Sequence, residues 1–351
     1  MEFKKILITG GAGFIGSNLI RKILQTTDHI VYNLDKLGYS SDLRSINNLK
    51  ESKNKHFHLN VDIRDKNKVD EAIKYSSPDI IFHLAAESHV DRSIDSPKGF
   101  IESNILGSFN LLESFREYFS TLSTDKKNKF RFLHISTDEV FGSTNDKDGF
   151  NENSAYRPSS PYSASKASSD HLFNAWYKTF NLPIITTNCS NNYGPYQFPE
   201  KLIPLTILKA LNNENIPLYG NGLNIRDWLH VSDHVDALLL IAEKASLGEK
   251  YCIGGNCERT NKDIVTTICK FLDEYCPKKN SYLEKIIYVR DRPGHDKRYF
   301  INTTKIKTKL GWEHKYDFDI GLKETIKWYL DNLEWCEYIL SKGSYKGERM
   351  G

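Results

Sequence analysis

The amino-acid sequence predicts an α/β protein built on a doubly wound parallel sheet, with a second, smaller domain of mixed α/β structure. Three observations support this prediction. Strand-like runs rich in Ile, Val and Leu alternate with helical patterns over the first 190 residues, as is typical of parallel βαβ units. A glycine-rich turn follows the first of these runs directly, and the alternation loosens after Asn191.

The first part of the chain contains short apolar runs and helical patterns in regular order. The runs predict strands at Lys5–Thr9, Ile30–Leu34, Phe57–Asn60, Ile80–Ala85, Phe132–Ser136 and Ile184–Asn188. The predicted helices between them begin near Gly13, Lys66, Lys98 and Pro161. Right-handed crossovers join such units, and ligands bind beyond the carboxyl ends of the strands.

After Asn191 the predicted elements are shorter and mixed. Strands are predicted at Pro217–Tyr219 and Ile286–Val289, and helices at Ser232–Lys244, Lys262–Glu274 and Ile320–Asn332. We therefore divide the chain into a first domain at 1–190, a second at 191–340 and a loosely ordered tail at 341–351. The boundary is soft, because Ile184–Asn188 and Arg226–Val231, or more broadly residues 225–240, could return to the main sheet.

Composition narrows the class of protein. The 351 residues are 39% hydrophobic and carry a formal net charge of +3, which gives no reason to expect a nucleic-acid partner. There is no signal-peptide pattern at the N-terminus and no run of ~18 apolar residues, so we expect a cytoplasmic protein with no membrane partner. The six cysteines lack zinc-type pairs, so we expect reduced thiols and no metal site.

The glycine turn predicts a dinucleotide site. Gly10, Gly13 and Gly16 follow the first strand at the start of the first helix, where they allow a tight turn, close approach to a pyrophosphate and close helix packing. Asp35, nineteen residues beyond Gly16, is placed to accept hydrogen bonds from ribose hydroxyls and so favours NAD over NADP, although Lys36 beside it works against this preference. The Gly-x-x-Gly-x-x-Gly spacing resembles the short-chain dehydrogenase/reductase superfamily, whose cofactor domain is a Rossmann fold.

A second group of residues predicts a hydride-transfer centre. Tyr162 and Lys166 are four positions apart on a predicted helix, so their side chains share a face. A neighbouring ammonium and an oxidised nicotinamide favour the phenolate, which makes the tyrosine a usable base. Thr137, Asp138 and Glu139 follow the fifth predicted strand. The acidic pair could be a solvated loop or a helix cap, but two carboxyls in differing surroundings can also divide acid and base roles, as an elimination requires.

Longer strings make the resemblance specific. TDEVFG at 137–142 resembles the signature of nucleoside-diphosphate-glucose 4,6-dehydratases, the dTDP-glucose and UDP-glucose enzymes. Further segments match the same family in order: LAAESHVDRS (84–93), PYSASKA (161–167), NCSNNYGPYQFPEKLIPL (188–205), PLYGNGLNIRDWLHVSDH (217–234) and DRPGHDKRY (291–299). Related 4-epimerases lack the Asp-Glu pair, and GDP-mannose dehydratases more typically show Thr-Ser-Glu, so Asp138 is the discriminating residue.

The resemblance implies a lyase that makes an NDP-4-keto-6-deoxyglucose, as in deoxysugar or rhamnose biosynthesis. Tyr162 is the base for oxidation at C4 by NAD, with Lys166 beside it, and Thr137 hydrogen-bonds the reacting oxygen. Glu139 then removes the C5 proton while Asp138 protonates the departing C6 hydroxyl, and the hydride returns to C6. Because NAD is regenerated, it is expected to stay bound.

The resemblance also implies binding roles. Beyond the residues already named, the cofactor is expected to contact Phe14, Ile15, Asp62, Ile63, Leu84, Ala85, Ala86, Ser103 and Asn192. The nucleotide sugar is expected to contact Ser88, Thr137, Asn191, Lys201, Leu202, Pro217, Tyr219, Arg226, Asn261, Arg292, His295 and Tyr299. A planar guanidinium can direct two donors at a diphosphate, which is the physical argument for Arg226 and Arg292; Asn191 and Asn192 could instead be simple turn formers.

Three questions stay open at this point. The superfamily pairs the helices after Lys98 and Pro161 in a homodimer, but their apolar residues could equally be buried within one chain. A UDP-sugar 4-epimerase shares the fold, NAD, Thr137, Tyr162 and Lys166, and a non-catalytic NAD-binding scaffold is a remote alternative. The residues do not distinguish thymidine from uridine on the substrate.

Overall fold

The computed structural model describes residues 4–342, with the side chain of Lys342 left out. The predicted tail from residue 343 onward lies outside these residues, and residues 341 and 342 complete the last described helix. The strands of the described part are β1 (Lys5–Thr9), β2 (Ile30–Leu34), β3 (His56–Leu59), β4 (Ile80–His83), β5 (Arg131–Thr137), β6 (Ile184–Cys189), β7 (Asn191–Tyr193), β8 (Ile216–Tyr219), β9 (Ile225–His230), β10 (Lys250–Ile253), β11 (Glu258–Thr260) and β12 (Ile286–Val289).

The helices alternate with the strands in the first half of the chain and predominate in the second. They are α1 (Phe14–Thr26), α2 (Arg44–Asn47), α3 (Lys66–Ser76), α4 (Val90–Asp95), α5 (Pro97–Phe100), α6 (Ser108–Ser120), α7 (Thr124–Lys129), α8 (Pro161–Phe180), α9 (Leu202–Leu211), α10 (Val231–Lys244), α11 (Asn261–Tyr275), α12 (Thr304–Leu310), α13 (Phe318–Asp331) and α14 (Leu333–Lys342). The helix predicted near Lys98 is interrupted by a wider, π-helical segment at Ile101–Gly107.

Within the described residues, seven strands form one parallel sheet in the order β10-β6-β5-β4-β1-β2-β3. The chain starts at β1 and winds in both directions from it, so the predicted doubly wound sheet is confirmed. The chain reverses its direction of winding between β1 and β4, where such sheets bind ligands at their carboxyl ends.

One prediction about this sheet is wrong. Arg226–Val231 does not return to it, because β9 pairs with β7 and β11 in a separate three-stranded sheet. The edge place beside β6 is taken by β10, a four-residue strand that the sequence patterns did not identify. The helix that follows β9 does pack against the first half of the chain. α10 contacts α1, and the Lys22 ammonium forms an ion pair with Asp236 at 2.9 Å.

The two faces of the main sheet carry separate apolar cores, because side chains alternate along each strand. Ile6 and Ile8 point to one face, where α1 and α10 contribute Ile23 and Ile241. Leu7 points to the other face, which α3, α6 and α8 cover. A further core joins α9, α11 and α13 in the second half of the chain.

Local sequence sets the starts of the helices that carry functional residues. Ser160 and Ser163 form a reciprocal capping box at the start of α8, and Pro161 occupies its first turn, so the frame of Tyr162 and Lys166 is fixed at its N-terminus. None of the helices within residues 4–342 combines the length and apolar character that crossing a bilayer needs.

Candidate active site

The glycine turn after β1 has the geometry that close approach requires. Gly10 has φ +71°, and a Cβ there would lie 2.6 Å from the backbone nitrogen of Ala85. A Cβ on Gly16 would lie 2.3 Å from the Gly10 carbonyl oxygen. Gly13 is the N-cap of α1 and makes no side-chain cap. The first residues of the helix line the cleft, so their free N–H groups are available to an anion there.

Asp35 follows β2 and lies in the same cleft. It is 5% exposed, and its carboxylate accepts hydrogen bonds from the backbone of Ala12 (3.0 Å) and Leu37 (2.8 Å). Burial raises its pKa, and these backbone bonds oppose the rise. The ammonium of Lys36 is 3.0 Å from Glu87 and 3.8 Å from Asp62, so two carboxylates already neutralise the cation that could have attracted a 2′-phosphate.

All the predicted cofactor residues line one cleft at the carboxyl ends of β1, β2, β4 and β5. Those not yet described are Phe14, Ile15, Asp62, Ile63, Leu84, Ala85, Ala86, Ser103, Tyr162, Lys166 and Asn192. The cleft has further lining residues that the sequence patterns missed: Tyr39, Ser40, Ser41, Gln197, Phe198 and Glu200. The last three lie in the long string at 188–205 that carried the resemblance, which is the signal that could have identified them.

Thr137 joins the predicted catalytic residues. It ends β5, and its hydroxyl donates to Asp138 Oδ1 at 3.3 Å and accepts from the Glu139 backbone at 3.3 Å. Thr137 also opposes the rise that burial causes in the pKa of Tyr162. Lys166 lies one turn beyond Tyr162 on α8, and its ammonium donates to the Ile135 carbonyl at 2.9 Å. The structure therefore brings together all five predicted catalytic residues at the end of β5.

The two adjacent carboxyls have different surroundings. Asp138 is 1% exposed, and its Oδ2 has no hydrogen-bond partner among residues 4–342. Burial, then Glu139 and Asp227, raise the pKa of Asp138 well above its usual range, which favours a protonated acid at neutral pH. Burial also raises the pKa of Glu139, but cationic side chains oppose this rise, namely those of Arg292, Lys201 and Arg226.

Tyr162 depends on a cation for its reactivity. Burial, followed by the charge of Glu139, raises the pKa of Tyr162 well above its usual range. Burial also lowers the pKa of Lys166, which the nearby Asp170 opposes. The protein's own groups alone therefore favour the neutral phenol, and an oxidised nicotinamide in the cleft would supply the positive charge that favours the phenolate.

Most predicted substrate residues lie on the side of the cleft where Glu139 is found, in a group that we call the polar arm. Its members are Ser88, Asn191, Lys201, Tyr219, Arg226, Arg292, His295 and Tyr299. Ser88, Asn191 and Lys201 line the cleft itself, and the Lys201 ammonium donates to the Ser88 carbonyl at 2.9 Å. The Tyr219 hydroxyl donates to Asp91 at 2.9 Å, and Arg292 lies 3.4 Å from the other oxygen of that carboxylate.

The far side of this arm is built around Arg226. This residue is 4% exposed, and its guanidinium lies 4.2 Å from the ring centre of Tyr299. The Tyr299 hydroxyl donates to Asp296 at 2.6 Å. The ring of His295 lies 6.2 Å from that of Tyr219. The segment 291–299 therefore contacts both the Tyr219 part and the Arg226 part of the arm.

Three predicted substrate residues are not brought to the cleft by any described contact. Leu202 begins α9 and packs against the core that joins α9, α11 and α13. Pro217 lies in β8, two residues before Tyr219, and the backbone N–H of Asn261 donates to the Asn224 carbonyl at 3.0 Å. Asp91 and Asp296, which orient the arm, were not identified from the sequence.

Comparison with known proteins agrees with this geometry. A family model described as GDP-mannose 4,6 dehydratase matches residues 7–325. The dTDP-glucose 4,6-dehydratase of Salmonella typhimurium is 52% identical, with 97% of each chain covered.

Solved structures show the same likeness. The dTDP-glucose 4,6-dehydratase from Bacillus anthracis in complex with NAD is 41% identical, with a TM-score of 0.84 and coverage of 96% of this chain and 99% of that one. DesIV, a dTDP-glucose 4,6-dehydratase from Streptomyces venezuelae with NAD and TYD bound, is 37% identical, with a TM-score of 0.87 and coverage of 95% and 99%. The chain therefore belongs to the nucleotide-sugar 4,6-dehydratase family, together with the GDP-mannose and dTDP-glucose enzymes that it resembles.

Proposed function

We propose that this chain is an NAD-dependent lyase that converts dTDP-glucose to dTDP-4-keto-6-deoxyglucose and water. The observation that carries the proposal is the placement of Asp138 and Glu139 between the hydride-transfer residues and a cationic arm. Within the described residues, Oδ2 of the buried Asp138 has no hydrogen-bond partner. Glu139 instead faces three cations, Arg292, Lys201 and Arg226. An oxidoreductase or a 4-epimerase has no use for such a pair, whereas an elimination needs one acid and one base.

The cleft fits NAD by its own geometry. The uncapped start of α1 suits the pyrophosphate, and Asp35 suits the ribose hydroxyls. Tyr162 and Lys166 lie at the other end of the cleft, beside Thr137. When bound there, NAD supplies a hydride acceptor and later a hydride donor, so the reaction has no net redox change.

The protein's side chains would then move the protons. Tyr162 takes the proton of the C4 hydroxyl while Thr137 holds that oxygen by a hydrogen bond. Glu139 removes the C5 proton, which the new C4 ketone has made acidic, and Asp138 protonates the C6 hydroxyl as it leaves as water. Glu139 finally returns a proton to C5, and the product keeps the C4 ketone. Tyr162 then releases the proton that it took and Asp138 regains the one that it gave, so the protein is unchanged after each cycle.

The nucleotide would be held by the polar arm. Arg226 and Arg292 are the proposed diphosphate contacts, with Tyr219, His295 and Tyr299 beside the nucleoside. Ser88, Asn191 and Lys201 would contact the sugar, while Leu202, Pro217 and Asn261 follow from family likeness alone. We further propose that residues 1–190 with α10 and β10 form the cofactor domain, to which the segment 191–201 adds Asn192. The rest of 191–340 is proposed to hold the substrate, together with Ser88 and Thr137 of the first domain.

Two wider proposals concern assembly and location. We propose a homodimer through the outer faces of α6 and α8, because Phe109 is 40% exposed and Phe180 43% exposed there. We propose a cytoplasmic enzyme of deoxysugar synthesis, rhamnose included, because all six cysteines lie in the described part of the chain and are free thiols, as in reducing compartments.

A parallel assay tests the proposed reaction. Purified protein with NAD would be given dTDP-glucose or UDP-glucose, and products would be separated by mass. We expect loss of water from dTDP-glucose, with UDP-glucose as the poorer substrate. A product of unchanged mass would instead identify a 4-epimerase. Better turnover of UDP-glucose would show that the preferred substrate carries uracil and not thymine.

A further inference from the structure

One segment crosses the cofactor cleft without being part of any helix or strand. Residues 36–41, which we call the strap, follow β2 and line the cleft at Gly38, Tyr39, Ser40 and Ser41. The start of the strap is fixed where the Leu37 backbone donates to Asp35 at 2.8 Å. Its end is fixed where the backbone of the next residue, Asp42, donates to the Ala12 carbonyl at 2.9 Å. Both ends are therefore bonded to the cofactor-binding turn or to its acidic partner.

The middle of the strap is bonded to the opposite wall. The Tyr39 hydroxyl donates to Glu200 Oε1 at 3.1 Å, across 161 positions of sequence. The guanidinium of Arg92 lies 3.8 Å from the centre of the Tyr39 ring, and the ring of Phe198 is nearly perpendicular to it with 5.5 Å between the ring centres. Arg92 in turn donates to the other oxygen of Glu200 at 3.1 Å.

In the contact between Tyr39 and Glu200, the carboxylate is buried and its hydrogen-bonding groups are satisfied. The side chain of Glu200 is 2% exposed, and each of its oxygens has its own donor. Lys36 adds a second bridge from the strap, at 3.0 Å from Glu87 in the loop after β4. A dinucleotide lying along the glycine turn would be enclosed by the strap, so its departure requires the strap to lift.

We infer that Tyr39 and Glu200 form a clamp across the cofactor cleft, and that opening this clamp sets the rate at which the bound dinucleotide leaves. The inference rests on the proposed NAD site. It gives a function to residues that neither catalysis nor substrate binding uses. It also explains how a cofactor that is regenerated in every cycle is kept in place.

A chase experiment measures the clamp directly. Holoenzyme would be loaded with labelled NAD⁺, freed of excess by gel filtration and diluted into unlabelled NAD⁺, and release of label would be followed without any sugar nucleotide. Tyr39→Phe keeps the ring and removes the bond to Glu200, so we expect release to be about tenfold faster. Tyr39→Ala also loses the ring contacts, so we expect acceleration on the order of a hundredfold.

The variants control one another. Glu200→Gln should accelerate release as Tyr39→Phe does, and the double variant should show less than the product of the two effects, because both remove one shared bond. Tyr275→Phe removes a hydroxyl from a residue that is 47% exposed on α11, so we expect wild-type release. Thermal unfolding of each holoenzyme would confirm that the conservative variants stay folded.

The results separate this inference from the proposed reaction. Unchanged NAD⁺ release from Tyr39→Phe and Glu200→Gln would overturn the clamp, even if dTDP-glucose is dehydrated normally. Faster release from both would support the clamp, even if the assay showed a different reaction.

Discussion

Asp138 and Glu139 are neighbours in the chain, yet distant segments give them opposite environments. Asp138 faces the buried carboxyl of Asp227, whereas Glu139 faces Arg292 and Lys201. Burial raises the pKa of both carboxyls, but neighbouring carboxyls add to the rise at Asp138 whereas cations oppose it at Glu139, so Asp138 is the better acid and Glu139 the better base. The chemistry of the pair is therefore set by β9 and by the loops at 197–201 and 291–299, more than by the pair itself.

Replacing each carboxyl by the matching amide distinguishes the proposed acid, Asp138, from the proposed base, Glu139. Asp138→Asn and Glu139→Gln should both slow dehydration by ~10²–10⁴-fold, the usual contribution of a general acid or base. Both should still oxidise C4 and accumulate enzyme-bound NADH, because Thr137, Tyr162 and Lys166 are intact. In deuterated water, Asp138→Asn should still exchange the C5 proton and Glu139→Gln should not. The reverse pattern of exchange would reverse the assignment.

The sequence located these residues but could not supply their surroundings. Thr137, Asp138 and Glu139 could be placed after a strand from local pattern alone, and Tyr162 and Lys166 from helical spacing. Asp227, Asp91 and Asp296 act across the fold. Each lies inside one of the strings that carry the family resemblance, but those strings do not show which charges face one another. Tyr39 was missed for the same reason, because its partner Glu200 lies 161 positions away.

At the scale of elements, the junction of β1 and α1 tolerates no side chain at Gly16 in the first turn of α1. A Cβ on Gly16 would lie 2.3 Å from the Gly10 carbonyl oxygen and 2.7 Å from the Gly11 Cα. The clash is with backbone, so it can be relieved only by moving α1 away from β1. Such movement would displace the helix N-terminus that is proposed to bind the pyrophosphate.

Gly16→Ala tests this turn against a matched change elsewhere. We expect Gly16→Ala to lose measurable NAD binding by calorimetry and to lower the midpoint of thermal unfolding. Gly99→Ala in α5 adds a Cβ that meets nothing within 4 Å, so it should bind NAD normally and be neutral or stabilised by up to about 1 kcal/mol. Normal NAD binding by Gly16→Ala would contradict the role of the turn.

The outer surface of α6 and α8 carries the dimer prediction. Phe109 packs edge-on against Trp176 at 5.9 Å, and Trp176 packs against Phe180 at 5.6 Å, so an apolar strip joins the two helices. Phe109→Glu should convert a dimer to monomers in sedimentation velocity, since a charge would be buried at the interface. Ile320→Glu, at a residue that is 58% exposed on α13, should leave the assembly unchanged. A monomeric wild-type protein would refute the proposed dimer.

Strand patterns predicted which segments are extended but not where each one pairs. Trp228, Leu229 and Val231 make Arg226–Val231 a candidate strand of the main sheet. The segment is extended as far as His230, but β9 pairs with β7 and β11. Position in a sheet depends on which edge is open once the rest of the chain has packed. The four residues of β10 were too short to stand out, although they complete the main sheet.

At the scale of the whole molecule, buried histidines link stability to pH. Burial lowers the pKa of His134 and His230 to about 4 and that of His234 to about 3. These groups are neutral when folded but take up protons near pH 6.5 when unfolded. At these histidines the unfolded state therefore binds more protons between pH 6.5 and about 4, so the stability that they contribute above pH 6.5 is lost as pH falls. Burial raises the pKa of Asp227 to about 6, and this carboxyl opposes the loss over the same range. Among the described residues, histidines with a lowered pKa outnumber carboxyls with a raised pKa, so the net change is a loss.

We expect the free energy of unfolding, measured with urea, to fall steadily between pH 7 and pH 5. His234→Gln should reduce the slope, because it removes one group whose protonation drives unfolding. A free energy that stays constant or rises over this range would show that the histidines can be protonated without unfolding. The reverse change, from pH 5 to pH 7, should restore the lost stability.

The late position of β10 has a consequence for how the chain folds during synthesis. β6 pairs on one side with β5 and on the other with β10, which follows β7, β8 and β9 in the chain. The apolar face of α10 is needed as well, to cover the sheet beside α1. While a ribosome is still making the second half, the emerging Rossmann sheet has an open edge and an uncovered face, and both attract other chains. We expect this protein to need protection by chaperones until about residue 253 has left the ribosome.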